Sequence, residues 1–249
     1  MSGNTDINST PAGTSRFATT HWSVVLAAVS PSSPKYQQAL SILCKTYWFP
    51  LYAYLRRHGC DTHQAEDCTQ AFFAQMLEKH SLRLADPERG KFRSYLLAAL
   101  KHFLADERGR VQAQKRGGGQ RVLSLDFENA EELYGLEPAD QLSPERLFER
   151  SWALVVLQKV MARLGTESAR ANKQKVFEHL IAYLAPAGEV VPYRVMAAKL
   201  NMIEGAVKVA VHRLRKRYQE LLRDEIGQTV ATEEEIDREL LDLFEVLSC

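Results

Sequence analysis

The fold is decided by the stretch YRVMAAKLNMIEGAVKVAVHRLRKR, which covers residues 193–217. It predicts a short apolar helix, a turn and a longer basic helix, which is the order of a helix-turn-helix. Ala197 is small enough for the two helices to touch, Asn201 tolerates the left-handed conformation of a tight turn, and Val207 is an aliphatic anchor in the second helix. The two helices are therefore expected to pack together at Ala197 and Val207.

The second helix has an apolar face and a basic face. Its apolar residues recur at spacings of four and three, which is the period of one helix face. They are Val207, Val211, Leu214, Tyr218 and Leu221. Between residues 204 and 223, six basic residues outnumber two acidic ones. A helix that is merely solvated normally mixes both signs, so the excess favours binding in the major groove of duplex DNA.

The whole chain has the composition of a globular protein, with 249 residues of which 45% are hydrophobic. No stretch approaches roughly eighteen consecutive apolar residues, and the N-terminal residues lack the features of a signal peptide. We therefore expect a cytoplasmic protein with reduced thiols. Residues 58–68 hold two histidines and two cysteines, but their spacing matches no known ligand pattern, so neither a metal nor a cofactor is expected.

The net charge of +1 at pH 7 hides an uneven distribution of charge. Residues 101–121 hold six basic and two acidic side chains, whereas residues 122–150 hold two basic and eight acidic ones. Residues 224–249 hold one basic side chain and nine acidic ones. The chain is therefore expected to present two basic surfaces and two acidic segments.

Helical periodicity occurs on both sides of a break at residues 117–119, which are three consecutive glycines. No segment shows sustained β alternation. We therefore predict an all-α protein of two small helical domains joined by a flexible acidic linker. The predicted boundaries are a disordered tail at 1–15, a first helical domain at 16–112, the linker at 113–143, a second domain with the helix-turn-helix at 144–228, and an acidic amphipathic helix at 229–249.

Two motifs in the first predicted domain resemble those of a known bacterial family. Residues 64–73, QAEDCTQAFF, resemble the A-E-D-x-x-Q-x-x-F signature of the extracytoplasmic-function (ECF) sigma factors, which lies on the helix that grips the clamp coiled coil of RNA polymerase. Residues 92–108, FRSYLLAALKHFLADER, resemble the promoter-melting helix of the same family. The resemblance covers residues 40–116 and 147–222 and implies a region 2-like bundle and a region 4-like helix-turn-helix of the sigma-70 family.

By this resemblance the protein would direct core RNA polymerase to promoters and start transcription by recognising the −35 element and melting the −10 element. It would not catalyse a reaction itself. Its partners would be core polymerase, through the clamp coiled coil and the flap, and promoter DNA. An anti-sigma protein is a further candidate partner, and no membrane partner is expected.

The resemblance and the basic face assign candidate residues to three surfaces. Those for core polymerase are Glu66, Asp67, Gln70 and Phe73, although Phe73 has a core residue as its alternative interpretation. Those for −10 DNA are Arg89, Lys91, Phe92, Arg93, Tyr95, Lys101, His102, Asp106, Arg108 and Arg110. Those for −35 DNA are Tyr193, Glu204, Gly205, Lys208, Val209, His212, Arg213, Arg215 and Lys216.

The chain departs from the family pattern at several of these positions. Tyr95 stands where the family has Trp, and His102 stands where it has Asn. Stacking on an unpaired base is retained, whereas the hydrogen-bond pattern at His102 differs. Val209 and Ala210 replace a small polar residue followed by Arg, which favours apolar contact with thymine methyl groups.

The C-terminal segment is expected to form a helix of its own. Thr232 and Glu235 have the spacing of a capping box. One apolar stripe follows, made of Ile236, Leu240, Leu243, Phe244 and Leu247. Two interpretations stay open: the helix docks on the DNA-binding domain and competes with DNA, or it completes the core of that domain.

Two other classes of protein are alternatives to a sigma factor. A helix-turn-helix regulator that acts without polymerase would explain the C-terminal half of the chain, but not the motifs at 64–73 and 92–108. An enzyme is the weaker alternative, because no phosphate-binding glycine loop, Ser-His-Asp order or metal set is found in the sequence.

Overall fold

The structure is a computed structural model that describes residues 23–86, 90–111, 125, 127, 129–136, 142–184, 191–228, 230 and 232–248. Within these residues the regular elements are all helices, so the predicted all-α class is confirmed. The predicted tail at 1–15 lies outside them. None of the helices they form has both the length and the apolar character needed to cross a bilayer.

Ten α-helices lie within the described residues. In chain order they are α1 (Ser23–Val29), α2 (Tyr36–Arg57), α3 (Thr62–Glu78), α4 (Phe92–Val111), α5 (Ala130–Gly135), α6 (Pro144–Arg170), α7 (Gln174–Leu180), α8 (Tyr193–Leu200), α9 (Glu204–Gly227) and α10 (Glu233–Leu247). Short 3-10 helices lie at Ser81–Leu84 and Ile181–Leu184.

Three of these helices begin at side chains that cap their first turn. The Asp61 carboxylate accepts a hydrogen bond from the Gln64 backbone N–H at 2.8 Å, and the Gln64 side chain completes a capping box. The Ser143 side chain caps α6 by accepting a hydrogen bond from the Arg146 backbone N–H. The predicted capping box of Thr232 and Glu235 is present at the start of α10. Each cap satisfies backbone donors that have no partner inside the helix.

One large core runs through most of the described chain. At its centre is α2, whose Leu51 and Leu55 are fully buried, and α2 packs against α1, α3 and the long α6. The second half of α9 joins the same core through Leu222 and Ile226, and α10 joins it through Leu243. Helices from both predicted domains therefore share one continuous core. The division into two domains stays a prediction.

A second, smaller core lies under the helix-turn-helix. It is formed by α7, the 3-10 helix that follows, α8 and the first half of α9. Its buried residues are Leu180, Tyr183, Met196, Ala197, Val207 and Val211. Leu214 packs against both cores, so α9 connects them.

The described part of the predicted linker is not a flexible tether, because residues 130–135 form α5 and pack on α2. The Glu131 carboxylate accepts hydrogen bonds from Arg56 Nε at 2.7 Å and from the Tyr52 hydroxyl. Phe127 adds an edge-on ring contact with Trp48, with centroids 5.2 Å apart. The remainder of the linker lies outside the described residues.

Candidate nucleic-acid interface

The two helices of the helix-turn-helix, α8 and α9, are joined by a left-handed turn. Asn201 has φ 51° and ψ 47°, and the N–H of Met202 donates to the carbonyl of Ala197 at 2.9 Å. This arrangement ends α8 and sends the chain into α9. The predicted inward side chains of the second helix, Val207 and Val211, are buried against α8. The predicted order of helix, left-handed turn and helix is confirmed.

The outer face of α9 is exposed and basic. Lys208, His212, Arg213 and Lys216 are all exposed there. His212, Arg213 and Lys216 make no ion pair with any residue that the structure describes. Lys208 pairs with Glu204 at 2.7 Å, and this hydrogen bond raises the pKa of the Lys208 ammonium. Three polar side chains that can meet phosphate oxygens without giving up an acidic partner therefore line this face.

Tyr193 extends the same surface onto α8. Its ring stacks on that of Tyr183, with centroids 5.1 Å apart and an interplanar angle of 6°. The Lys208 ammonium lies 5.8 Å from the Tyr193 centroid, within reach of a cation–π contact. Gly205 is exposed in the first turn of α9. The Lys208 ammonium therefore contacts both Glu204 on its own helix and Tyr193 on α8.

Arg215 and Arg217 on α9, unlike Arg213 and Lys216, are engaged by other parts of the protein. The guanidinium of Arg215 donates to the carbonyl of Tyr183 from Nε at 3.1 Å and from Nη2 at 3.0 Å. Arg217 pairs with Glu167 on α6 at 2.8 Å and with Glu220 at 3.0 Å. Arg215, which the sequence assigned to −35 DNA, therefore holds α9 on the 3-10 helix that follows α7.

Exposed apolar residues accompany the basic ones. Val209 is 49% exposed, and Ile203, the residue before α9, is 77% exposed. Val195 on α8 is also exposed. Of these three residues, the sequence indicated only Val209 as a candidate contact. Ile203 was missed. An aliphatic residue at the N-cap position, where a polar capping residue is usual, could have indicated it.

Two predicted −10 residues near the start of α4, Phe92 and Tyr95, have different environments. Phe92 is only 1% exposed and packs edge-on against Tyr47 at 5.4 Å, so its assignment to stacking on a base is corrected to a core role. Tyr95 is half-buried, and its hydroxyl donates to the carbonyl of Ser81 at 2.5 Å. With Arg83 and Lys91 it lines an open cleft of about 730 Å³.

Lys91 and Arg93 are held by α10. Arg93 is 4% exposed, its Nη1 donates to the carboxylate of Glu239, and its Nη2 lies 3.5 Å from Asp242 Oδ2. The Lys91 ammonium lies 3.0 Å from Glu239 Oε2 and also pairs with Asp242. Both cations are therefore neutralised in this conformation, which corrects their assignment as open DNA contacts.

Further along α4, the predicted residues His102 and Asp106 are exposed. Lys101 pairs with Glu145 at 2.8 Å, and this hydrogen bond raises the pKa of Lys101 and lowers that of Glu145. Arg89 lies outside the described residues. Arg108 and Arg110 continue the helix, but their side chains lie outside what is described.

The predicted polymerase-binding residues lie on α3. Asp67 is exposed, and Glu66 and Gln70 are partly exposed. Phe73 is 1% exposed and belongs to the large core, in agreement with its alternative interpretation and against a contact with a partner. The structure thus brings three of the four residues to the surface of one helix.

The predicted amphipathic helix α10 packs on α6, on the second half of α9 and on the start of α4. It does not cover the exposed face of α9 that holds Arg213 and Lys216. Ile236 and Leu243 point into the core as predicted, whereas Phe244 is exposed.

Within the described residues, no cluster of three or more His, Cys, Asp or Glu side chains is placed to hold a metal ion. No family model, no curated protein and no solved structure matches the chain. The function is therefore inferred from the surfaces themselves.

Proposed function

We propose that the protein is an RNA polymerase sigma factor of the ECF group in the sigma-70 family. It brings core polymerase to promoters by binding the −35 element and opening the −10 element, and it catalyses no reaction itself. It acts in the bacterial cytoplasm, where its partners are the clamp coiled coil and flap of core polymerase and promoter DNA, with an anti-sigma protein as a further candidate.

The observation that carries this proposal is the pair of unpaired basic residues, Arg213 and Lys216, on the exposed face of α9. Both are exposed and pair with no described acidic residue. Further along the helix, Arg217 and Arg223 do have acidic partners, Glu167 on α6 and Asp237 on α10. A helix that leaves cations unpaired on one face, as the second helix of a helix-turn-helix, is suited to the phosphates and base edges of a major groove.

The surface of α3 supports the polymerase contact. Asp61 fixes the start of this helix through its capping box. On the inner side, Thr69 is buried and its hydroxyl donates to the carbonyl of Ala65 at 2.7 Å. Asp67 and Gln70 are therefore held outward, where they offer a carboxylate and an amide to an arginine-rich partner helix.

The cleft beside Tyr95 supports capture of a single strand. An aromatic ring next to a lysine is the combination that stacks an unpaired base and holds its phosphate. His102 and Lys101 are exposed further along α4, where Lys101 pairs with Glu145. In the described conformation Lys91 is engaged by α10, so strand capture requires that this contact opens.

The test is co-purification of core RNA polymerase with the full chain, followed by transcription of genomic fragments and mapping of the start sites. The variant Asp67→Arg/Gln70→Ala is expected to lose both polymerase binding and chain-dependent starts. Glu78→Arg, which makes the same charge change about 16 Å further along α3, is the control and is expected to retain both.

Absence of polymerase binding by the unaltered chain contradicts the proposal. If the chain then protects duplex DNA from cleavage without polymerase, the protein is instead a free-standing helix-turn-helix regulator.

A further inference from the structure

The acidic helix α10 pairs with Lys91 and Arg93, two residues that the sequence assigns to −10 DNA. Glu239 is 1% exposed, and its carboxylate contacts both Arg93 and Lys91. Asp242, one turn further on, contacts the same two cations. Two carboxylates on adjacent turns therefore neutralise two cations at the start of α4, which is the chemistry that two phosphates of a strand would perform.

The helix is held at both ends as well as at its middle. Near its start, Arg223 pairs with Asp237. At its end, Arg150 Nη1 lies 3.3 Å from the carbonyl oxygens of Val246 and Leu247, which lack partners inside the helix. Between these points Leu243 is fully buried in the core. The carboxylates therefore meet α4 in a defined register.

The buried charges are incompletely satisfied by hydrogen bonds. Arg93 Nε and Glu239 Oε2 are buried without a hydrogen-bond partner among the described residues, although Glu149 Oε1 lies 3.8 Å from the former and the Lys91 ammonium 3.0 Å from the latter. Buried ion pairs commonly fail to recover the desolvation of both charges. An apolar pair at positions 93 and 239 would close the core without this cost. The contact is thus better suited to exchange with another anion than to permanent packing.

We propose that α10 is an intramolecular latch, in which Glu239 and Asp242 occupy Lys91 and Arg93 until a single-stranded nucleic acid replaces them. The occupant of the site in the free protein is residues 233–247 of the same chain. The inference rests on the proposed function in taking a nucleic-acid strand as the ligand of α4.

The latch has a measurable consequence for affinity. When only a small fraction of the molecules is open, the apparent dissociation constant for a strand rises by the inverse of that fraction. Weakening the ion pairs that the two carboxylates make raises the fraction of open molecules. Strand binding then becomes tighter, although the residues that bind the strand are unchanged.

The experiment compares two variants of the full chain that remove two negative charges from α10. Glu239→Gln/Asp242→Asn weakens the latch, whereas Glu233→Gln/Glu234→Gln changes the exposed first turn and controls for the altered net charge. The probe is a fluorescein-labelled single strand of about twelve deoxynucleotides, and binding is measured by fluorescence anisotropy. The latch variant is expected to bind at least about tenfold more tightly than the unaltered chain, and the control within about twofold of it.

Equal affinities of the two variants would overturn the latch. Circular dichroism and thermal melting show whether each variant is folded. If Glu239→Gln/Asp242→Asn does not fold, Leu243→Ala replaces it, because it loosens α10 from the core and keeps every charge. This variant too is expected to bind the strand more tightly than the unaltered chain. If its affinity for the strand is not increased, the proposal is overturned.

Binding of core polymerase by the same proteins separates this inference from the proposed function. Polymerase binding together with equal strand affinities contradicts the latch and leaves the sigma-factor assignment intact. Tighter strand binding by the latch variant, with no polymerase bound by any protein, supports the latch and contradicts the sigma-factor assignment.

Discussion

The guanidinium carbon of Arg93 lies 4.3 Å from the centroid of the Trp152 ring. Arg93 belongs to α4 and Trp152 to α6, while the carboxylate of Glu239 on α10 reaches the same guanidinium. One buried side chain therefore joins three helices, through a cation–π contact and an ion pair.

Replacement of Arg93 by Met is expected to lower the free energy of unfolding by about 3–5 kcal/mol, because it leaves the buried Glu239 carboxylate without its main partner. The double variant Arg93→Met/Glu239→Met is expected to recover most of this loss, since an apolar pair can replace a buried ion pair. Urea unfolding of the two single variants and the double variant measures the coupling. A loss below about 1 kcal/mol for Arg93→Met would mean that Glu239 is solvated or satisfied by Lys91.

The left-handed conformation of Asn201 predicts a second difference in stability. Asn201→Val is expected to destabilise the protein by roughly 1–2 kcal/mol, because a β-branched side chain is disfavoured at φ 51°. Asn201→Gly is expected to be close to neutral. Thermal melting gives the comparison, with Lys199→Val at an exposed position of α8 as the control for the new side chain. Equal melting temperatures for the two Asn201 variants would contradict this prediction.

The contact between α5 and α2 predicts a dependence of stability on pH. The hydrogen bond from Arg56 lowers the pKa of Glu131 below its usual value of 4.5. The stabilisation from this carboxylate is therefore complete above pH 4.5 and is lost as the pH falls through the lowered pKa. Glu131→Gln is expected to be less stable than the unaltered chain at pH 7, and the difference is expected to shrink in acid.

Urea unfolding at several pH values between 3 and 7 measures this difference. Glu132→Gln, at the neighbouring exposed position, is the control for the loss of one negative charge. A difference between Glu131→Gln and the unaltered chain that stays constant down to pH 3 would rule out the linkage.

Burial raises the pKa of the Cys44 thiol from 9.0 to about 11. Since the thiolate is the reactive form, alkylation of Cys44 by iodoacetamide at pH 8 is expected to be about a hundredfold slower in the folded protein than in urea from the pKa alone. Limited access to the buried thiol lowers the rate further. Peptide mass spectrometry follows the modification over time, and equal rates in the two conditions would contradict the described burial.

Unpaired and paired arginines of α9 are expected to differ in their effect on DNA binding. Arg213→Ala is expected to weaken binding of duplex DNA and to reduce the slope of log affinity against log salt by about 1. Arg217→Ala, one turn further on, is the matched control, because Glu167 and Glu220 already engage that guanidinium, and its slope is expected to be unchanged. Anisotropy titrations over a range of salt concentrations give both slopes. A larger change for Arg217→Ala than for Arg213→Ala would contradict the assignment of Arg213 to the DNA contact.

Much of the helical framework could be predicted from local sequence, because its signals lie within one turn. Asp61 and Gln64 cap α3, Thr232 and Glu235 cap α10, and Asn201 ends α8, in each case through contacts a few residues apart. Each signal combines a backbone requirement with a side chain that meets it. Such features can be recognised without knowledge of the tertiary fold.

The burial of Arg93 could not be predicted in the same way. Its partner Glu239 is 146 residues distant in sequence, and nothing near Arg93 indicates that an acidic helix will cover it. The helix α5 was missed for a related reason. It has six residues, too few for a periodic pattern, and Glu131 on it bonds to Tyr52, 79 residues away. The burial of Arg93 and the packing of α5 therefore depend on partners distant in sequence rather than on local helix propensity.

The long helix α6 also links the site of Arg93 to the helices beneath the helix-turn-helix. Its Trp152 ring lies against the Arg93 guanidinium, and about three to four turns further on Gly165 lies beside the Phe177 ring of α7. Trp152 and Phe177 both belong to the large core, while α7 also supplies Leu180 to the smaller one. A change in the packing around Arg93 therefore acts on the same helix that supports α7.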